Sequence, residues 1–190
     1  MIPTSSLLFQ RTINAKLNVL FAFFTLVWGL GVVFGVHALL VGHDHVFGTS
    51  REVPWGILIT PYVFFACLAT GACIISSLGQ VFRFTPFIPL IKRTVFISII
   101  AMASGLFAIG LEVENPWRVI VYGVLSANPL SNIWWKSAIY TLFLLLMIGN
   151  NSFLLTGREK GARFLGFAAL ITITCGNLNM SSDMAVLGAR

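Results

Sequence analysis

Long apolar runs alternate with short polar segments along this chain, at roughly residues 18–41, 55–82, 93–113, 134–157 and 164–180. About 20 mostly apolar residues in helical form cross the hydrocarbon core of a bilayer. The first four runs reach that length and the fifth is marginal. None shows the strict apolar–polar alternation of a membrane barrel strand, so each predicts a helix. The expected fold class is therefore an all-α integral membrane protein. It would be a bundle of about five transmembrane helices in one membrane domain over residues 1–190, each helix satisfying its own backbone polar groups in lipid.

Composition agrees with the pattern. The 190 residues are 57% hydrophobic and 9% charged, whereas a soluble domain carries roughly a quarter charged residues. A net charge of +6 would suit nucleic acid, but the basic residues sit in short clusters between apolar runs, as loop charges do. The opening "MIPTSSLLFQRTINAKLNVLF" lacks a charged n-region followed by a small-residue cleavage site and reads as a tail leading into a retained helix.

Charge also sets direction. Arg11 and Lys16 precede the first run; Arg83, Lys92 and Arg93 lie between the second and third; Arg158, Lys160 and Arg163, with Glu159, lie between the fourth and fifth. The other side carries Asp44, Arg51, Glu52, Glu112, Glu114 and Arg118. The positive-inside rule puts the N-terminus in the cytoplasm and residues 111–135 on the outer side of an inner (plasma) membrane. The fifth run holds Asn177 and Asn179 and the chain stops soon after it, which suggests that further helices pack there, from a partner chain or a second half of the bundle.

Small residues mark helix contact faces in lipid. In the second run Ala66, Ala69, Thr70, Cys73 and Ser77 share a face that Tyr62 continues outward; in the third, Ala101, Ser104, Gly105 and Ala108 share one that Glu112 continues. Tyr62, Glu112 and His37 are thus expected near the outer surface, beneath the segment holding Arg118. An ionisable group aimed into a bundle is a functional candidate. The plainer alternatives are an interfacial tyrosine belt, a Glu112–Arg118 pair that only fixes a loop, and a structural histidine. His43-Asp44-His45 lacks a third ligand at clear spacing, so no metal site is expected. Cys67, Cys73 and Cys175 read as small buried packing residues. No iron–sulfur cluster and no haem is expected within the chain, since the thiols are too few and only His37 lies in a span.

Two stretches carry a family resemblance. "VPWGILITPYVFFACLATGACIISSL" (53–78) resembles the second helix, and "ENPWRVIVYGVLSANPLSNIWW" (114–135) the following loop and helix start, of the NrfD/PsrC family, the membrane subunits of polysulfide-reductase-like and related respiratory complexes. Trp55, Gly56, Tyr62 and Gly71 match the second-helix pattern. Pro116 and Arg118 match the loop, and Asn128, Pro129 and Ser131 the helix start. The loop reads "EVENPWR" where an aspartate-glycine-arginine style is more usual, and the chain resembles the N-terminal half of a family of eight or more helices.

The resemblance implies a quinone-binding subunit that is not catalytic alone. It would exchange electrons between a docked ferredoxin-like iron–sulfur subunit, with further redox subunits behind it, and a menaquinone or ubiquinone. On that reading His37, Tyr62, Glu112, Arg118, Asn128 and Ser131 border the quinone, Tyr62 and His37 bonding a carbonyl and Glu112 exchanging protons, with Tyr62 and Glu112 the catalytic candidates. The alternatives are an ion- or proton-translocating subunit and a structural membrane anchor without quinone chemistry. Transport would want ionisable groups near the midplane, where this chain offers only Cys, Ser, Thr and Gly.

The orientation is testable by labelling. Ile88→Cys and Gly48→Cys should react with a membrane-impermeant thiol reagent from opposite sides of sealed vesicles. Reaction of both from the outside would overturn it.

Overall fold

The computed structural model of the chain describes residues 4–41, 57–112, 121 and 128–188. It divides into two compact units, Met1–Pro54 and Trp55–Arg190. The described part of the first unit is a 38-residue helix, α1 (Thr4–Val41), whose apolar stretch Lys16–Ala38 has 23 residues. At about 1.5 Å per residue that stretch covers a bilayer core of about 30 Å.

The second unit contains α2 (Ile59–Gln80), a short 3-10 helix (Thr85–Leu90), α3 (Ile91–Glu112), α4 (Asn132–Leu155) and α5 (Glu159–Gly188). The pairs α2–α3 and α4–α5 pack along their lengths; α2 also packs on α5, and α3 on α4. The result is a four-helix bundle with apolar spans Ile59–Gln80, Thr85–Leu111, Trp134–Leu155 and Glu159–Ser182. No strand occurs among the described residues. The protein is thus all-α and multi-pass, as its apolar pattern implies. α5 outruns the expected 164–180 at both ends. Apolarity records the thickness of the hydrocarbon, whereas a helix continues into the polar interface wherever its backbone bonds can still form.

The bundle core sets large side chains of α4 against small residues of its neighbours. Tyr140, Phe143 and Met147 are fully buried, as are Ala66, Ala69 and Cys73 of α2 and Ala162 and Ala169 of α5. The small face predicted for α2 is real, and so is that of α3. A Cβ on Gly105 would lie 3.3 Å from the Phe65 Cβ and 3.4 Å from the Tyr62 carbonyl oxygen, a measure of how closely these two backbones approach. The cysteine expectation holds only for Cys73. Cys67 and Cys175 are exposed, because they fall on outward faces where lipid receives a thiol as readily as the core does.

Polar groups follow the rule for lipid, that a donor must find its acceptor inside the protein. Thr70, Thr172, Thr174 and Ser152 each donate to the carbonyl four residues back, at 2.8, 2.8, 2.8 and 3.0 Å. The Ser98 hydroxyl crosses from α3 to the Ala69 carbonyl of α2 at 2.8 Å. Deepest toward the basic end, Gln80 and Asn150 exchange two bonds: Gln80 Nε2 donates to Asn150 Oδ1 at 2.9 Å, and Asn150 Nδ2 donates to Gln80 Oε1 at 3.1 Å. Gly166 of α5 makes room for them, since a Cβ there would stand 2.8 Å from Gln80 Oε1.

The loop after α2 and the turn after α4 lie at one end of this unit. They carry Arg83 and Arg158, with Lys92 and Arg93 in the first turn of α3 and Lys160 and Arg163 at the start of α5. Each turn needs a left-handed residue, Arg83 at φ 58° and Gly157 at φ 72°. Glycine adopts that conformation freely, whereas a residue with a Cβ pays roughly 1–2 kcal/mol for it. At Arg83 the Phe84 N–H closes the turn on the Leu78 carbonyl at 2.9 Å.

The amide pair should be separable from simple packing. Asn150→Leu removes two interhelical bonds and strands the buried Gln80 carboxamide, a loss of about 1–3 kcal/mol. A Gln80→Leu/Asn150→Leu double variant should recover most of it. Unfolding of the purified protein in mixed detergent would read both; a double variant as unstable as the single one would mean that shape, not hydrogen bonding, matters at this position.

Candidate functional site

The end of the bundle opposite the basic turns holds Tyr62 and the last turn of α3. Tyr62 lies three residues into α2, and its side chain is 4% exposed. It therefore points into the bundle, and the interfacial-belt alternative does not describe it. Its ring meets that of Tyr140 edge to face, with centroids 6.1 Å apart, and the two hydroxyls interact.

From Tyr140 a line of neutral hydrogen-bonding groups runs inward. The Tyr140 hydroxyl stands 3.4 Å from the Gly176 carbonyl oxygen, 3.5 Å from Asn177 Oδ1 and 3.5 Å from the Met180 sulfur. Asn177 Nδ2 donates to Thr70 Oγ1 at 2.9 Å, and that hydroxyl donates in turn to the Ala66 carbonyl at 2.8 Å. Gly176 is required for this arrangement: a Cβ there would come within 2.8 Å of Tyr140 Cε1. Three helices, α2, α4 and α5, thus contribute one buried polar line of Tyr62, Tyr140, Asn177 and Thr70. It stops at the Ala66 carbonyl, because the Thr70 proton is already committed there. Every bond of the line donates inward, so it holds the Tyr62 and Tyr140 side chains in place from within the bundle.

None of the other candidates is seen to join this line among the described residues. Glu112 is the last residue of α3, at the same end of the bundle as Tyr62, but its side chain lies outside the described residues, as do Trp55, Gly56, Glu114, Pro116 and Arg118 and the His43-Asp44-His45 triplet. His37 is an exposed residue of α1, in the first unit. Asn128 and Ser131 start a helix. Asn128 Oδ1 accepts from the Leu130 N–H at 3.1 Å, and Ser131 caps α4 by accepting from the Trp134 N–H at 3.4 Å. The Trp135 indole closes the same turn on the Pro129 carbonyl at 2.8 Å. A second amide cluster ties α4 to α5 nearby, where Asn179 donates to Asn132 and Asn132 donates to Ser182 at 3.3 Å. Among the described residues no three His, Cys, Asp or Glu side chains gather as a metal site would require.

Sequence reasoning missed Tyr140 and left Asn177 and Thr70 without a joint role. One signal was available: Tyr140, Asn177 and Thr70 are polar residues inside apolar runs, and polar groups there seek one another. Their pairing across 107 residues is not visible in any local pattern.

Comparison with known proteins extends these observations. Over 112 residues the chain is 27% identical to a selenate reductase subunit of Mesobacillus selenatarsenatis, covering 57% of this chain and 25% of that protein. Over 151 residues it is 24% identical to the Hdr-like menaquinol oxidoreductase integral membrane subunit of Archaeoglobus fulgidus, covering 78% of this chain and 38% of that protein. The chain therefore matches well under half the length of either relative. No solved structure matches it significantly. The family model "Polysulphide reductase, NrfD" matches residues 45–181, which include all of α2 to α4 and most of α5, and on that match the chain belongs to the NrfD family of polysulphide-reductase membrane subunits.

Proposed function

We propose that this chain is a quinone-interacting membrane subunit of a respiratory oxidoreductase complex in the inner (plasma) membrane. It would exchange electrons between a docked iron–sulfur subunit and a menaquinone or ubiquinone. Family membership supports this reading, and so does the relative named a menaquinol oxidoreductase membrane subunit. The observation that carries it to particular residues is the Tyr62–Tyr140–Asn177–Thr70 line.

The residues suit such a substrate. A quinone needs an apolar slot, a hydrogen-bond donor for each ring oxygen and a route for protons. Tyr62 holds a neutral hydroxyl at the outer end of the line; its one proton would turn from Tyr140 to a ring oxygen when the substrate binds, while Tyr140 keeps its own bonds to Gly176 and Asn177. Because the line contains no ionised group, it can hydrogen-bond a neutral carbonyl without burying a charge, which would cost far more. Proton exchange falls to Glu112, the carboxylate at the same end, with Arg118 favouring its ionised form. Asn128 and Ser131 contribute by setting where α4 begins, and hence the depth of Tyr140. The dead end at Ala66 favours binding over ion translocation through this part of the bundle.

Tyr62→Phe should weaken binding of a quinone analogue to the assembled complex about ten- to a hundredfold, the equivalent of about 1–3 kcal/mol for an unpaired acceptor. Tyr140→Phe, which acts only through Tyr62, should change it less. Glu112→Gln keeps the shape but removes the titratable proton, so quinone-dependent electron transfer should slow more than binding weakens. Parental binding and turnover in Tyr62→Phe and Glu112→Gln, in an intact complex, would place the site elsewhere.

A further inference from the structure

At the basic end of the four-helix unit a cavity of about 360 Å³ opens between the end of α2, the 3-10 helix and the start of α5, with Gln80, Arg83, Ile88, Leu154, Glu159 and Arg163 on its walls. The quinone reading makes no use of it. We propose that this cavity binds the phosphate of an anionic membrane lipid, held between the guanidinium groups of Arg83 and Arg163.

Four features point there independently of the site around Tyr62. First, the Arg163 Nε–H is buried without a hydrogen-bond partner. A guanidinium donor removed from water and left unpaired is costly, and a phosphate oxygen is the acceptor that guanidinium geometry fits best. Second, Arg83 occupies a left-handed position at φ 58° that a glycine would hold without strain. The turn keeps a long cationic side chain at a place where the backbone alone favours none, and strain held at one position is a reason to look for a role there. Third, charge around the cavity is predominantly positive. Lys92 and Arg93 start α3, Arg158 and Lys160 flank the start of α5, and Glu159 is the one acidic residue on the walls.

The fourth feature separates a lipid from a free anion. The apolar spans end at Gln80 and begin at Glu159, so the cavity lies at headgroup depth. Its flank is apolar and open: Ile88 is 49% exposed, and Phe82 and Phe84 are each 54% exposed with their rings stacked at 6.5 Å. A soluble phosphate has no use for such a wall, whereas a phospholipid lays its glycerol and first methylenes against it. The basic loops belong to the end that the positive-inside bias assigns to the cytoplasm, where the leaflet is negatively charged.

The test uses the full chain in nanodiscs of phosphatidylcholine with increasing phosphatidylglycerol, read by thermal unfolding and by lipid retained in native mass spectrometry. Phosphatidylglycerol should raise the unfolding temperature saturably and remain bound. Arg163→Gln and Arg83→Gly should each weaken this response roughly five- to tenfold. Arg83→Gly should be at least as stable as the parent in pure phosphatidylcholine, because glycine relieves the turn; it therefore separates lost binding from lost folding should Arg163→Gln not fold. Glu159→Gln should strengthen the response several-fold, and Lys160→Gln, off the cavity wall, should change it less than twofold. Equal stabilisation by both lipids, or parental responses in Arg83→Gly and Glu159→Gln, would overturn the proposal. So would full stabilisation by millimolar inorganic phosphate in phosphatidylcholine alone, which would make the cavity a free-anion site.

Discussion

Hydrocarbon offers no hydrogen bonds, so every polar side chain that these helices carry into the membrane has to find its partner within the protein. The rest of the structure depends on that constraint. Hydroxyls on single helices meet it locally, through the carbonyl one turn back, as Thr70, Thr172 and Thr174 do. Amides and phenols cannot, because their groups lie too far from their own backbone. They reach across to another helix and so specify which helices pack and at what depth. Gln80 with Asn150 locks α2 to α4, and Asn177 with Thr70 locks α5 to α2. Each such bond contributes only about 0.6 kcal/mol on average in a bilayer. The penalty for a mispaired register is larger, since it strands both partners.

Glycine placement makes those pairings possible. Gly166 and Gly176 recur ten residues apart on α5, each facing a polar group that a Cβ would displace: the Gln80 carboxamide and the Tyr140 ring. The same helix thus leaves room for a structural amide pair near the basic end and for the candidate quinone-facing tyrosines near the other. Between the two clusters the hydroxyls end on backbone carbonyls, Ser76 on Cys73 of its own helix and Ser98 on Ala69 of α2, both at 2.8 Å. The bundle therefore keeps two separate polar centres, one at each membrane face, rather than one path through the middle.

Helix number and approximate spans, the membrane class and the inward direction of Tyr62 all followed from the amino-acid sequence. Apolar run length is set by the thickness of the bilayer, and the small-residue face of α2 has a period that extends to Tyr62 by simple spacing. Family resemblance was legible in residues 53–78 and 114–135 for a related reason: both are short, locally coded elements. The Asn128-Pro129-x-Ser131 segment illustrates this, since its turn and cap involve partners within three residues.

Only the tertiary structure decided which polar groups meet. Tyr140 lies 78 residues from Tyr62 and Asn177 lies 107 from Thr70; no periodicity along one helix states which face of another it will oppose, because that depends on crossing geometry and on where glycines let a large ring enter. For the same reason the sequence could not tell that Cys67 and Cys175 face outward while Cys73 is buried, or that Arg83 and Arg163, 80 residues apart, line one cavity. A single helix records its own periodicity and its fit to the membrane. The pairing of distant side chains is a property of the packed bundle, where unmet hydrogen bonds exclude the alternatives.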